Sequence, residues 1–377
     1  YERRNDYWGW QLPLNNGRYN FDTVRYEVYL DATVARQAFL NGMLDILDVD
    51  DIRHWTNAFD GPAMDQGLIR KTRRNYGIWV GMGKSFVINS RMQRLADRRV
   101  RKALTLALDF EWINQKYYYG DRVRAKSFWP DTILEAKGLP SDDELKLLER
   151  FRAALPSEIF SQPFELPVAG NDTQFRENLV EARQLLESAG WRIEDGELRD
   201  SAGQHFTLEL LSYDSENARI LLPWFKSLER LGISANIRLV DISQYTNRMR
   251  KHDYDAFVQS YDFVIPPTLE ARSNFHSSAV MGEGSRNYTG ISSPVVDYLI
   301  ETAEVAETLD ELVAASRALD RVLMWDYLLI PLYAYDARRT VHWDKFGRPP
   351  HPKYRPAYPD GWWYDEARAA RVSAAIK

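Results

Sequence analysis

FTLELL (206–211), ARILLPWFKSLERL (218–231), SANIRL (234–239), ISQYTNRMRK (242–251) and AFVQS (256–260) follow one another with short connections, and their order decides the fold. The first, third and fifth stretches have the length and pattern of strands. The second and fourth repeat apolar residues at helical spacing. Strands alternating with helices of this length predict right-handed crossovers and a sheet containing parallel strands, hence an α/β protein. Ligands of such sheets sit beyond the carboxyl ends of the strands, which singles out the loops 213–219 and 259–268.

Working outward, VRYEVYL (24–30) alternates and reads as a strand. Residues 31–33 can cap a helix over 34–40 that ends at Gly42, and a short strand follows at 44–47. This strand–helix–strand unit has too few partners to make a sheet of its own. A long apolar-rich strand is expected at 77–89. Asp97 then begins a helix to Leu108, with Val100, Ala103, Leu104 and Ala107 on one face. Arg98, Arg99, Arg101 and Lys102 fall mostly on the other, which reads as a solvated face rather than a phosphate site. A loop and a charged helix (142–154) occupy 130–156, and 175–189 is an amphipathic helix closed by Gly190. Residues 261–289 read as one long irregular stretch, of the kind that is usually functional or disordered. Helices at 294–303 and 309–325, a strand at 330–335 and a Pro-rich tail ending in Trp362, Trp363 and Tyr364 complete the chain.

At 377 residues the chain is long enough for two or three domains. A net charge of -5 argues against a nucleic-acid surface, which needs clustered Lys and Arg. The absence of cysteine excludes disulfides, thiol catalysis and thiolate metal sites. The 12 Trp, 21 Tyr and 16 Phe leave two readings open: packing, or a wide cleft lined by rings.

Catalytic and metal motifs do not mature. Gly83-Lys84-Ser85 looks like the end of a phosphate loop, but the motif needs a glycine at 78, where Ile78 stands, and a strand rather than a helix follows. Asp48-Val49-Asp50-Asp51 suggests a calcium loop, yet His54 occupies the turn-glycine position, so helix capping is the better reading. The six histidines lack metal-ligand spacing, and no G-x-S-x-G elbow exists. Neither cofactor, metal nor catalytic residue is expected. Asn171 and Asn287 head glycosylation sequons, which arise often by chance.

YERRNDYWG (1–9) resembles the E-R-N-x-D-Y-W-G element of family 5 extracellular solute-binding proteins, the receptors of peptide-type ABC importers. T-V-A-x-Q-A-F-x-x-G-x-L-D (33–45), DRRVRKAL (97–104), DFEWIN (109–114) and Ser127-Phe128 also resemble that family. GSRN (284–287), PVVD (294–297), ALDRVLMW (318–325) and WDKF (343–346) look like its YejA-like branch, receptors for oligopeptides and microcin C-type peptide-nucleotides. The resemblance implies a two-lobed periplasmic-binding-protein-like fold (class II, cluster C) with mixed sheets that closes by hinge motion. Its first lobe would be incomplete: 1–74, a second lobe 75–335, and a return segment 336–377. The missing amino-terminal part of that lobe and an inner-membrane ABC permease are the implied partners. Periplasmic location and binding without chemistry follow from the same resemblance. An opine or oligosaccharide receptor on this fold is the alternative, and a hydrolase the less favoured one.

Receptors of this family hold the ligand's amino group with an acid beside an aromatic ring after a strand. Here Tyr261 takes the aromatic position and Asp262 is the nearest acid. Asp262 would bind an ammonium by a charge-assisted bond, or cap the strand end. The branch normally carries W-P-Q-S-L-S-P-G-N-E-Q at this place, and this chain has Tyr261-Asp262-Phe263-Val264-Ile265-Pro266-Pro267. Arg219, after Tyr213, matches a basic position of the family and could hold a carboxylate bidentately, or lie on a helix surface. Trp129 could stack on ligand groups or pack in the core. Gln259, Arg286 and Asn287 are further candidates for the same cleft.

Overall fold

The computed structural model describes residues 1–75, 81–214, 220–262, 269–334, 337–349 and 360–376. The chain divides into a discontinuous unit, Tyr1–Asn75 with Ala337–Lys377, and a continuous one, Tyr76–Asp336. In chain order the strands are β1 (Ile46–Asp48), β2 (Ile69–Asn75), β3 (Gly81–Ile88), β4 (Arg192–Glu194), β5 (Glu197–Arg199), β6 (Thr207–Ser212), β7 (Ser234–Leu239), β8 (Ala256–Asp262), β9 (Leu329–Tyr333), β10 (Ala337–Trp343), β11 (Phe346–Gly347) and β12 (Trp363–Tyr364).

The continuous unit is built on a five-stranded sheet of order β7-β6-β8-β3-β9. β6 runs parallel to β7 and β8, whereas β3 pairs antiparallel with β8 and β9. The sheet is therefore mixed. β3 is buried almost throughout, as befits a strand covered on both faces. On one face Phe86, Ile88, Leu208 and Leu210 pack with helices Arg98–Leu106, Asp172–Ser188 and Leu222–Glu229. On the other, Val87, Leu211, Phe257 and Tyr261 pack with helices Pro294–Glu304 and Leu309–Trp325. Helix starts follow the sequence. Asp97 accepts from the Arg99 amide, Asn171 from Thr173 and Gln174, and Thr308 closes a capping box with Glu311.

The discontinuous unit holds a three-stranded antiparallel sheet of order β1-β10-β2, so its central strand comes from the far end of the chain. Phe39, Ile69, Val341, Trp343 and Val372 form its core. The Trp343 indole donates to the Phe39 carbonyl at 2.9 Å. Asp31 caps helix Ala32–Leu40 by accepting from the Thr33 and Val34 amides, and Asp51 caps Ile52–Asn57. The acidic run 48–51 is thus used for capping and for the Asp48–Arg338 pair.

Several expectations need correction. Residues 24–30 form no strand and join no ladder. The stretch 261–289 is not wholly irregular: it contains helix Leu269–Phe275 and a 3₁₀ turn, Ser277–Ala279. Beyond Trp363 the chain forms helix Glu366–Ile376, which the sequence reading passed over although its alanines favour it. The charged helix expected at 142–154 ends at Leu148 and continues as a 3₁₀ turn. The basic face of helix Arg98–Leu106 is not simply solvated: Arg98 pairs with Glu158, Arg101 with Asp326 and Lys102 with Glu181.

Candidate functional site

Because β6 and β8 are parallel neighbours, both leave the sheet at the same end; Leu211 stands opposite Phe257, and β8 runs on several residues further to Asp262, beyond the level of Tyr213. Two rows of rings run back from that end. In the first, Tyr213 meets Tyr245 edge-on at 4.8 Å, Tyr245 meets Phe257, and Phe257 meets Tyr288 at 5.5 Å. Burial pushes the Tyr245 hydroxyl upward, reinforced by Tyr213 and Tyr288. Tyr213 keeps 55% of its surface open, so this row ends in an accessible ring.

The second row is internal. Tyr261 stacks on Phe275 with centroids 6.0 Å apart, Phe275 meets Phe128 edge-on at 5.3 Å, and Phe128 lies against Trp129. Both Tyr261 and Trp129 are buried. Burial holds the Tyr261 hydroxyl well above its ordinary range, with the nearby Arg286 guanidinium opposing. Gln259 is half-buried on the same face of β8, between Phe257 and Tyr261 and opposite Ser85. The Trp129 loop is held by one carboxylate. Asp320, fully buried in helix Leu309–Trp325, accepts from the Phe128 amide at 2.7 Å and from the Ala136 amide at 2.9 Å.

Arg286 is exposed, while Asn287 is wholly buried. Its amide donates to the carbonyls of His276 and Ile291 and its oxygen accepts from the Gly290 amide, so the side chain braces a turn. Arg219 and the side chain of Asp262 lie outside the described residues. The structure therefore gathers Gln259, Tyr261, Trp129 and Arg286 around one face of the sheet. Tyr213 joins them through Phe257 and Tyr288. Sequence reasoning missed Tyr245, Phe257, Phe275 and Tyr288; the high aromatic content was the one signal, and it has no address.

Gly83 proves to be a packing residue. Its φ is +59°, at a bulge in β3, and a Cβ there would stand 2.3 Å from the Tyr333 carbonyl oxygen. Among the described residues no cluster of three or more His, Cys, Asp or Glu could hold a metal ion, and no helix is long and apolar enough to cross a membrane.

A mixed α/β architecture of this kind recurs among solved bacterial binding proteins. The oligopeptide-binding protein AppA of Bacillus subtilis, solved with a nonapeptide, superposes on it with a TM-score of 0.68 at 20% identity, over 92% of this chain and 61% of AppA. Residues 1–283 match the bacterial extracellular solute-binding proteins, family 5 Middle, and the chain belongs to that family. It is 38% identical to the uncharacterized protein YejA of Escherichia coli (strain K12), over all of this chain and 62% of that protein. It is 36% identical to the probable peptide-binding protein YejA of Agrobacterium fabrum, over 97% of this chain and 60% of the relative. The chain thus spans about three fifths of the length of these relatives.

Proposed function

We propose that the chain is the binding part of a periplasmic receptor that takes up peptides or peptide-like conjugates and delivers them to an ABC permease, without chemical change to the ligand. The observation that carries this is similarity over nearly the whole chain to a probable peptide-binding relative, together with membership of family 5. The ligand site is the edge where β6 and β8 end. Asp262 takes the ammonium, with Tyr261 behind it, and Arg219 takes a carboxylate. The open Tyr213 ring and the Gln259 amide supply stacking and a polar contact, with Arg286 nearby. Trp129 and Asn287 act from behind the surface, by shaping the walls. Rings suit such a site because they offer contact area with few rotors to freeze.

Calorimetry with di- to octapeptides against opines and oligosaccharides tests this. Saturable peptide binding weakened roughly tenfold by Tyr213→Ala or Asp262→Asn is expected, the size of one ring or one charged contact. Binding of sugars or opines with none of peptides refutes the reading.

A further inference from the structure

The chain's net charge of -5 is unevenly spread. Residues 337–377 carry nine Lys and Arg against four Asp and Glu, and residues 69–75 carry four Lys and Arg with no acid. Because β2 and β10 are neighbours in one sheet, these two basic stretches meet in the discontinuous unit.

Four arginines gather there around one buried carboxylate. Asp344, just past β10, is met by Arg371 at 2.5 Å, Arg368 at 3.0 Å and Arg70 at 3.5 Å. Each of these three arginine side chains keeps about half its surface in solvent. Arg348 donates to the Thr72 hydroxyl, two residues along β2 from Arg70 and on the same face of the strand. Asp365 pairs with Arg368. Glu366 falls on the other side of helix Glu366–Ile376 from Arg368 and Arg371, at 3.6 residues per turn. Asp344 and Asp365 therefore offset half of the four guanidinium charges and leave the rest in excess. That excess is felt inside the unit: the His342 imidazole is lowered first by burial and then by Arg348, with Arg70 and Arg368 adding to the effect against Asp344.

Two open rings stand beside the arginines. Trp363 is 44% exposed and Tyr364 56%. They form β12, which pairs with β11 just before Arg348 and leads into the helix that carries Arg368 and Arg371. Basic side chains alone suit any polyanion. Tryptophan and tyrosine, each with an apolar body and a polar edge, favour the headgroup level of a bilayer.

We infer that this face of the discontinuous unit rests on an anionic lipid bilayer, with Arg70, Arg348, Arg368 and Arg371 over headgroup phosphates and Trp363 and Tyr364 among the headgroups. The attraction fades within a Debye length, so the contact is reversible and sensitive to salt. It goes beyond the peptide reading and does not rest on it. None of the ligand residues takes part, and the test contains no peptide, so either reading can fail alone.

Co-sedimentation with vesicles tests it on the 377-residue chain. Vesicles of equal parts phosphatidylglycerol and phosphatidylcholine should bind the chain at least about tenfold better at low salt than phosphatidylcholine alone, and about 0.5 M salt should release it. Arg368→Gln with Arg371→Gln should weaken that binding roughly tenfold or more. Arg348→Gln and Trp363→Ala, which leave the Asp344 contacts in place, should each weaken it a few-fold. Arg368→Lys with Arg371→Lys keeps the charge and should retain binding. Exchange of β10 amides checks folding in every variant. Arg152→Gln with Arg183→Gln, at two exposed arginines of the continuous unit, should change nothing. Four results overturn the inference: no preference for anionic vesicles, no loss in folded variants of the patch, an equal loss in the Arg152 and Arg183 pair, or release from the vesicles by polyglutamate at equal charge, which marks a surface for an acidic protein instead.

Discussion

Replacing Asp320 with asparagine should change how stability responds to pH more than it changes stability itself. Asp320 is fully buried, and burial pushes its carboxyl up to about 7, while the Ala136 and Phe128 amides and the Ser127 hydroxyl pull the other way. The unfolded chain loses this proton near 3.8. Between those values the folded state holds a proton that the unfolded state has released. The contribution is therefore complete below about pH 4 and is lost as the pH rises to about 7. A displacement of that size corresponds to about 4 kcal/mol. The asparagine side chain of the Asp320→Asn variant would not titrate. It can accept from only one of the two amides that Asp320 serves and turns its NH2 toward the other, a pH-independent cost of about 1–3 kcal/mol. Urea titrations near pH 4 and pH 8, followed through exchange of β3 and β8 amides, separate the two effects. Wild type should lose several kcal/mol more than Asp320→Asn between those pH values, so the gap between them narrows or reverses. Parallel losses within about 1 kcal/mol would refute the assignment.

The discontinuous unit should respond in the opposite sense. Burial, helped by Arg348, lowers the His342 imidazole to about 4 from 6.5, so its contribution is present above about pH 6.5 and is lost as the pH falls toward 4. His342→Phe should flatten that loss, about 3 kcal/mol, in exchange of β10 amides. Gly83→Ala should cost at least about 2 kcal/mol, from left-handed strain and the Tyr333 carbonyl; an unchanged melting temperature would show that β3 and β9 can part there. Glu144→Ala strands the buried Arg321 guanidinium, which it meets at 3.0 Å, and should cost about 3–5 kcal/mol; adding Arg321→Met should recover most of it in a double-mutant cycle.

Local patterning carried much of the regular structure. SANIRL forms β7 with the expected bounds, and helix Leu309–Trp325 starts and ends where its cap and periodicity place it. Both signals lie within a few residues of the element they specify. What failed depended on distant partners. VRYEVYL has a strand's composition, but composition says nothing of whether a neighbour is there to bond with. That β3 would sit between β8 and β9 follows from packing across 250 residues or so, beyond any local pattern. The candidate site was legible as a place, the carboxyl ends of β6 and β8, because that is a rule of topology. Its ring partners were not, since a tyrosine in a loop looks the same whether it faces water or a neighbouring phenylalanine. Asn287 shows the limit well: a motif-like asparagine whose hydrogen bonds all turn inward.

The central position of β10 governs the order in which this molecule can mature on the ribosome. Asp48 must wait for Arg338, 290 residues later, before it finds its partner. The uninterrupted segment, by contrast, has every strand of its sheet once Tyr333 has emerged. Nascent β1 and β2 therefore wait for β10 while the whole middle of the chain is made, and that middle is free to fold first. Asn75 and Ala337, which flank that middle, are register partners, so its folding delivers β2 and β10 to each other and spares the cost of closing a long loop. Substitutions that slow folding of the middle segment should therefore prolong the exposure of nascent β1 and β2 to chaperones and proteases.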